Sequence, residues 1–223
     1  MNLSHESRLE KIRTGTITSL QAANSKKRVK IFVDGSFSLA IDREVAARAG
    51  LQVGQHLSAD ELRELAQASL FQNCFDAVLH YLSYRPRSEA EVRQRLHRHG
   101  FAADVVDKAI IELKERRLID DVAFALFWKD NRLSFSPRSR RLMKLELRQK
   151  GVATETADEV TEDLNDEISA YEAGAKKARI LAALDYGEFR RRLSGHLRRR
   201  GFTYEVIGRV VARLWQEQQT ASV

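Results

Sequence analysis

Three eight-residue stretches constrain this chain more than any other feature: "QRLHRHGF" ending at Phe101, "LELRQKGV" ending at Val152 and "GHLRRRGF" ending at Phe202. Each places a Leu four residues ahead of a Gly, basic residues just before the Gly and an apolar residue after it. Anchored on Gly100, Gly151 and Gly201, the intervals are 51 and 50 residues, and a period near fifty is the signature of stacked supersecondary units. The register holds on both sides. Leu96, Leu147 and Leu197 stand four before the glycine and Val92, Met143 and Leu193 eight before it, an i, i+4 pair on one helical face. Asp104, Glu155 and Glu205 follow four residues after it, three beyond the apolar residue, and Leu113, Leu164 and Leu214 thirteen after.

This spelling predicts a helix that each glycine ends in the left-handed conformation, with the next Phe or Val packing back on the helix it closes. Basic residues in a last turn and acids in the next first turn suit the helix dipole. Each unit also carries a preceding apolar helix, "FQNCFDAVLHYL", "VAFALFWKDNRL" or "YEAGAKKARILAAL", which gives three helices per unit: first, middle and last. The middle helices are predicted to start at Ser88 with Glu91 in a capping box, at Ser136 with Pro137 in the first helical position, and at Asp185 with Glu188. Pro86 and Pro137, the two prolines of the chain, mark the same joint between a first and a middle helix.

The N-terminal part reads differently. "RVKIFVDGSFSLAID" alternates Val29, Ile31 and Val33, turns at Asp34-Gly35 and resumes with Phe37, Leu39 and Ile41, a hairpin pattern. "GTITSL" supplies a third strand, with Lys26, Lys27 and Arg28 in the intervening turn. Two short helices are expected next, Arg43 to Ala49 and one capped by Ser58 with Glu61. The expected fold is mainly α: three tandem three-helix repeats forming an elongated, curved body, preceded by a small three-stranded β segment with short helices. The boundaries fall at 1–65 for the N-terminal extension and 66–119, 120–168 and 169–223 for the repeats.

Charge is segregated by helix position. The segments ending at the three glycines carry +3, +5 and +5, together +13, in a chain of net +7, so the remainder is −6. "ATETADEVTEDLNDE", read as the last helix of the second repeat, holds seven acids and no base. Solubility needs only mixed signs. The candidates for a binding face are Arg85, Arg87, Arg93, Arg95 and Arg98 in the first middle helix, Arg138, Arg140, Arg141, Lys144, Arg148 and Lys150 in the second, and Arg190, Arg191, Arg192, Arg198, Arg199 and Arg200 in the third. The competing reading pairs some of them with the acidic last helix of their own repeat.

Other classes find less support. "MNLSHESRLEKIR" is polar, and runs such as "VAFALFW" fall far below the roughly 18 residues of a membrane span, so a cytoplasmic protein is expected. The single Cys74 excludes an internal disulfide framework and a multi-cysteine zinc module; with Phe71, Phe75 and Val78 at helical spacing it reads as a core thiol. No phosphate-binding loop, "HExxH" or nucleophile elbow occurs. The histidines His5, His56, His80, His97, His99 and His196 lack ligand spacing, so no metal and no cofactor is expected. Trp128, with Phe124 and Phe127, reads as core, and Tyr204 and Trp215 as exposed aromatics.

"YLSYRPRSEAEVRQRLHRHGF", "ELKERRLIDDVAFALFW" and "LELRQKGV" resemble the signature of the RecX family, bacterial regulators of the RecA recombinase. The resemblance covers Phe75 to Val152 closely and extends through the third repeat and the N-terminal hairpin. Its most specific parts are Arg85-Pro86-Arg87-Ser88 with Glu91, the "LIDD" turn at Leu118 to Asp121 followed by Phe124-Ala125, and Lys150-Gly151. Where members commonly have a glycine ahead of the second middle helix, this chain has Ser136-Pro137-Arg138-Ser139, so local contacts there are not carried over. The resemblance implies a non-catalytic protein that lies in the groove of the RecA–DNA filament and inhibits filament extension, ATP hydrolysis and strand exchange. The alternative is a basic helical protein acting directly on DNA; nonspecific DNA affinity would accompany either. A monomer is expected, because repeat stacking supplies the interfaces, and the N-terminal β segment is either a contact arm or a cap over the first repeat.

Overall fold

The structure, a computed structural model, describes residues 14–23 and 27–221. The polar segment "MNLSHESRLEKIR" with His5, and Lys26, lie outside the described residues. The chain divides into two compact units, one comprising the residues through Tyr84 with Arg95–Leu113, the other Arg85–Gln94 with Lys114 onward.

In the first unit, β1 (Gly15–Ala22), β2 (Arg28–Val33), β3 (Ser36–Asp42) and β4 (His56–Leu57) form an antiparallel sheet in the order β3-β2-β1-β4. The hairpin forms as the alternation predicts: Asp34 and Gly35 both take positive φ, which matches the twist of the flanking strands. Ile17, Ile31, Val33 and Ile41 are fully buried with Leu57 and Leu62 in one core. Phe37 departs from the alternation. Leu39 pairs with Ile31 but Phe37 pairs with Phe32, so a bulge re-aims the Phe37 ring; it stands 53% exposed, edge-on to Phe32, as an extra residue in a strand does. The fourth strand falls in a stretch that reads as loop.

Helix α1 (Arg43–Arg48) forms as expected, capped by Asp42. The capping box of Ser58 and Glu61 closes in both directions. It opens no short helix, however, but the 24-residue α2 (Ala59–Leu82). Between the capping box and "FQNCFDAVLHYL" there is no Gly or Pro to stop it, so residue 65 lies inside one continuous helix. Cys74 is buried on it, and burial pushes its thiol pKa up to about 11. Helix α3 (Glu89–Arg98) is divided between the units at Gln94, and α4 (Ala103–Glu115) follows.

The second unit contains α5 (Asp121–Phe135), α6 (Arg140–Gln149) and α7 (Thr154–Val160), then α8 (Asp166–Ile180), α9 (Tyr186–Arg198) and α10 (Tyr204–Ala221). Phe124, Ala125, Met143, Leu147, Val152, Ala157 and Val160 make one core; Phe189, Leu193, Leu197, Phe202, Ile207, Val210, Val211 and Leu214 belong to the next. The repeat positions are thus the core positions, and each fully buried Leu or Met among them contributes about 1.5–3 kcal/mol. Gly100, Gly151 and Gly201 take φ of +82°, +82° and +86°. After the first two, the N–H of Phe101 and Val152 donates to the carbonyl of Leu96 and Leu147, the closure that satisfies a helix's last free carbonyls.

Two helix limits differ from the sequence reading. The second middle helix starts not at Pro137 but at Arg140: Ser136 closes α5, and Ser139 caps α6 through the Leu142 N–H. Ser139 lies 51 residues after Ser88, so the glycine interval itself points to this cap. The acidic stretch "ATETADEVTEDLNDE" is not one helix either; α7 ends at Val160, and Asp166 and Glu167 open α8 behind the Asn165 cap. Asn165 offers the stronger cap because its side chain accepts from two N–H groups.

Candidate functional site

The basic residues lie on the middle helices, and the structure divides them by what they touch. Ser88 and Ser139, both fully buried, define two equivalent joints between consecutive repeats. At the first, Ser88 Oγ accepts from the Glu91 N–H and donates to the Lys150 carbonyl at 2.6 Å. At the second, the Ser139 N–H donates to the Arg200 carbonyl at 3.0 Å. In each case the first acid of the following helix caps the middle helix of the preceding repeat: Asp121 accepts from the Glu89 N–H at 2.9 Å, Asp166 from the Arg140 N–H at 2.6 Å. These N–H groups are among the four that a helix start leaves unpaired.

The repeat glycines acquire a second role here. A Cβ at Gly151 would overlap the Ala90 methyl, and one at Gly201 would lie 2.6 Å from Ser139 Oγ and 2.9 Å from Leu142 Cβ, whereas Gly100 has nothing within 4 Å. Two of the three glycines therefore let one repeat's middle helix end against the start of the previous one.

Glu91 does not complete a capping box at Ser88; its carboxylate is held by Arg85 in two bonds of 3.0 Å and by Lys150 at 2.7 Å. Burial, the largest influence, pushes its pKa up, but the hydrogen bonds and charges of Arg85 and Lys150 outweigh it and hold it below the ordinary carboxylate range. Glu89 behaves alike, burial being outweighed by Arg93 and Lys114. Trp128 packs on the second repeat's core as expected. It also donates its indole N–H to Glu146 at 3.0 Å and carries Lys150 and Arg132 at 4.2 and 4.5 Å from its ring centre, the cation–π arrangement. Glu146 further binds Arg132 and Arg138 at 2.8 and 2.5 Å.

Pairing with the acidic last helix of the same repeat is seen at Lys144, which reaches Asp158 at 2.7 Å; Arg85, Arg93, Arg138 and Lys150 instead hold carboxylates of the middle helices themselves, within or beside the joints. Arg191 and Arg192 share Glu188, whose pKa their hydrogen bonds lower to about 2, so Glu188, too, serves arginines rather than a capping box. Arg87, Arg140 and Arg200 are half-buried. Arg95, Arg98, Arg141, Arg148, Arg190, Arg198 and Arg199 are exposed, with Arg95 over the Tyr81 ring and Arg198 at 3.5 Å from the Tyr204 hydroxyl.

Tyr204 is exposed as expected, but Trp215 is not: it is half-buried, 5.0 Å from Phe189 and 5.4 Å from Tyr186 between ring centres, because its helix turns it onto the third repeat's core. Two residues that the sequence reading passed over stand out instead, Tyr84 and Phe135, 70% and 83% exposed. They lie 51 residues apart, each directly before a joint sequence, and the repeat interval was the signal for them. Among the described residues no group of three or more His, Cys, Asp or Glu could hold a metal, and no helix is long and apolar enough to cross a membrane.

Four family models match in chain order: the regulatory protein RecX N-terminal domain over residues 15–58, and the first, second and third RecX three-helix domains over 74–113, 120–160 and 166–211. The regulatory protein RecX of Listeria monocytogenes serotype 4a is 30% identical over 166 residues, 74% of this chain and 61% of that protein. The chain thus spans 61% of the length of this relative. The regulatory protein RecX of Clostridium perfringens (strain SM101 / Type A) is 27% identical over 206 residues, 90% of this chain and 96% of that one. A crystal structure of regulatory protein RecX shares the fold with a TM-score of 0.65 at 21% identity over 89% of this chain and 98% of the other; RecX from Lactobacillus salivarius gives 0.56 at 24% identity over 66% and 97%. With three three-helix domains behind a small antiparallel segment, matched in order from residue 15 to residue 211, the chain belongs to the RecX family.

Proposed function

We propose that the protein is a non-enzymatic cytoplasmic regulator that binds the RecA–DNA filament as a monomer and inhibits RecA's ATPase and recombinase activity, modulating recombination and repair. The observation that carries this reading is the repetition of exposed cations at the end of every middle helix, Arg98, Arg148, Arg198 and Arg199, on units whose joints are built alike. Equivalent contacts repeated along one chain suit a polymer of identical subunits, where each weak contact raises the effective concentration of the next. The domain limits that go with this reading are 1–65, 66–119, 120–168 and 169–223.

The test is RecA's single-stranded-DNA-dependent ATPase with increasing amounts of the protein at two salt concentrations, beside its DNA binding alone. Inhibition well below stoichiometry with RecA supports a filament modulator; loss of ATPase only where the protein saturates the DNA refutes it. Charge reversal at Arg198 and Arg199 weakens inhibition, and a folded variant that inhibits unchanged removes that face. A second reading, direct action on DNA, is favoured by the exposed Phe135, three residues ahead of Arg138 in sequence, and predicts binding that falls steeply with salt.

A further inference from the structure

We infer that the joint between the second and third repeats is a contact for single-stranded nucleic acid, with a backbone phosphate on Arg138 and Arg200 and the ring of Phe135 as a stacking surface for a base.

The two joints share the serine, the trans cap and the glycine, but not their charges. In the first, Arg85, Arg87 and Lys150 stand against Glu89 and Glu91, net +1; the equivalent positions of the second are Ser136, Arg138, Arg200, Arg140 and Leu142, net +3. Glu91 fills the first joint, its two oxygens taken by Arg85 and Lys150. Leu142 stands in its place in the second and offers no acceptor. The Arg138 guanidinium has Glu146, but that carboxylate also holds Arg132, and among the described residues Arg200 reaches the Nδ1 of His196, at 3.4 Å. Among the described residues the Nε atoms of Arg138, Arg140 and Arg200 are buried without a hydrogen-bond partner. Burial first, then the charges of Arg138 and Arg199, lower the pKa of Arg200, as befits cations gathered without a matching anion. Buried donors are normally satisfied, and guanidinium groups bind phosphate oxygens through paired N–H groups.

Phe135 favours a single strand over an acidic protein or a duplex. It is the last residue of α5, three before Arg138 in sequence, and 83% exposed, and an exposed aromatic ring is the platform on which unpaired bases stack. In a duplex the bases are not available to it.

The inference concerns the protein's own contact with nucleic acid and deepens the basic-face part of the proposed function. It is tested without RecA, so its failure and the failure of the RecA reading are separate results. The measurement is fluorescence anisotropy of a labelled 20-nucleotide oligothymidylate, and of a duplex of equal length, against salt. Arg138→Gln and Arg200→Gln each flatten the log–log salt slope by about 0.7, the value for one single-strand phosphate. Phe135→Ala weakens oligothymidylate binding about fivefold or more, leaving the slope and the duplex affinity unchanged. Leu142→Glu, which rebuilds the first joint's acid, weakens binding as the arginine variants do; should it fail to fold, the other three decide. Folded arginine variants with the parental slope overturn the phosphate assignment, and a Phe135→Ala variant that binds oligothymidylate like the parent, or loses duplex binding equally, overturns the single-strand assignment.

Discussion

Gly151 and Gly100 share a φ of +82°, yet replacing them with Ala should have different costs, because only Gly151 meets another repeat. At Gly100 the substitution carries the left-handed penalty of about 1–2 kcal/mol, partly offset by about 0.4–1 kcal/mol from the stiffer unfolded chain. Nothing lies within 4 Å of the added methyl, so the net cost is about 1 kcal/mol. At Gly151 the new Cβ falls closer to the Ala90 methyl than the 3.0 Å that real Cβ atoms respect. Ala90 sits on the backbone of α3 and cannot rotate away, so the joint must open, at the further 1–3 kcal/mol typical of overpacking. Gly151→Ala should therefore cost about 2–4 kcal/mol. Ala90→Gly removes the obstacle at about 1 kcal/mol of helix propensity. In the double variant the Gly151→Ala penalty should fall back to that of Gly100→Ala, a coupling of about 1–3 kcal/mol. Urea unfolding followed by circular dichroism on the four variants and the parent measures all of this. Equal costs at the two glycines, or no coupling with Ala90, would refute the close approach and with it the joint geometry.

Glu91 has a depressed folded-state pKa, so its stabilisation is present above the unfolded-state value near 4.3 and is lost as pH falls through the folded value. Glu91→Gln should cost about 1–3 kcal/mol at neutral pH, below the range for a fully buried pair because Arg85 stays 27% exposed, and should flatten the stability–pH curve below about pH 4; an unchanged acid limb would sink this. Asp121→Ala and Asp166→Ala each remove a trans cap and should each cost about 1 kcal/mol by urea titration; a neutral result at either would show that its joint does not depend on the cap. With its pKa near 11, the Cys74 thiol should react with an aromatic disulfide reagent at pH 8 about a hundredfold or more slower in the native than in the denatured protein, and comparable rates would contradict its burial.

The sequence makes the local rules legible because they repeat. Leu four before a glycine and Val, Met or Leu eight before it are positions that α-helical geometry puts on one face, and they are buried in every repeat; of the leucines thirteen after, Leu113 and Leu214 are buried and Leu164 packs half-buried against the second repeat's core. The same regularity extends to Ser139, Tyr84 and Phe135, which all obey the fifty-one-residue interval. Phe37 and the long α2 were less accessible. A one-residue bulge changes the face of a strand without changing its composition, and whether two helical segments fuse depends on what each packs against.

The charges divide most clearly along this line. That cations gather on the middle helices, that each helix ends at its glycine and which residues form the cores all follow from spacings within a few turns. Which cations are consumed depends on contacts far apart in the chain: Lys150 finds Glu91 across 59 residues, and the Ser88 hydroxyl finds the Lys150 carbonyl across 62. Such pairs are fixed by how one repeat docks on the next, and docking depends on a surface assembled from several helices, which no short window of sequence contains.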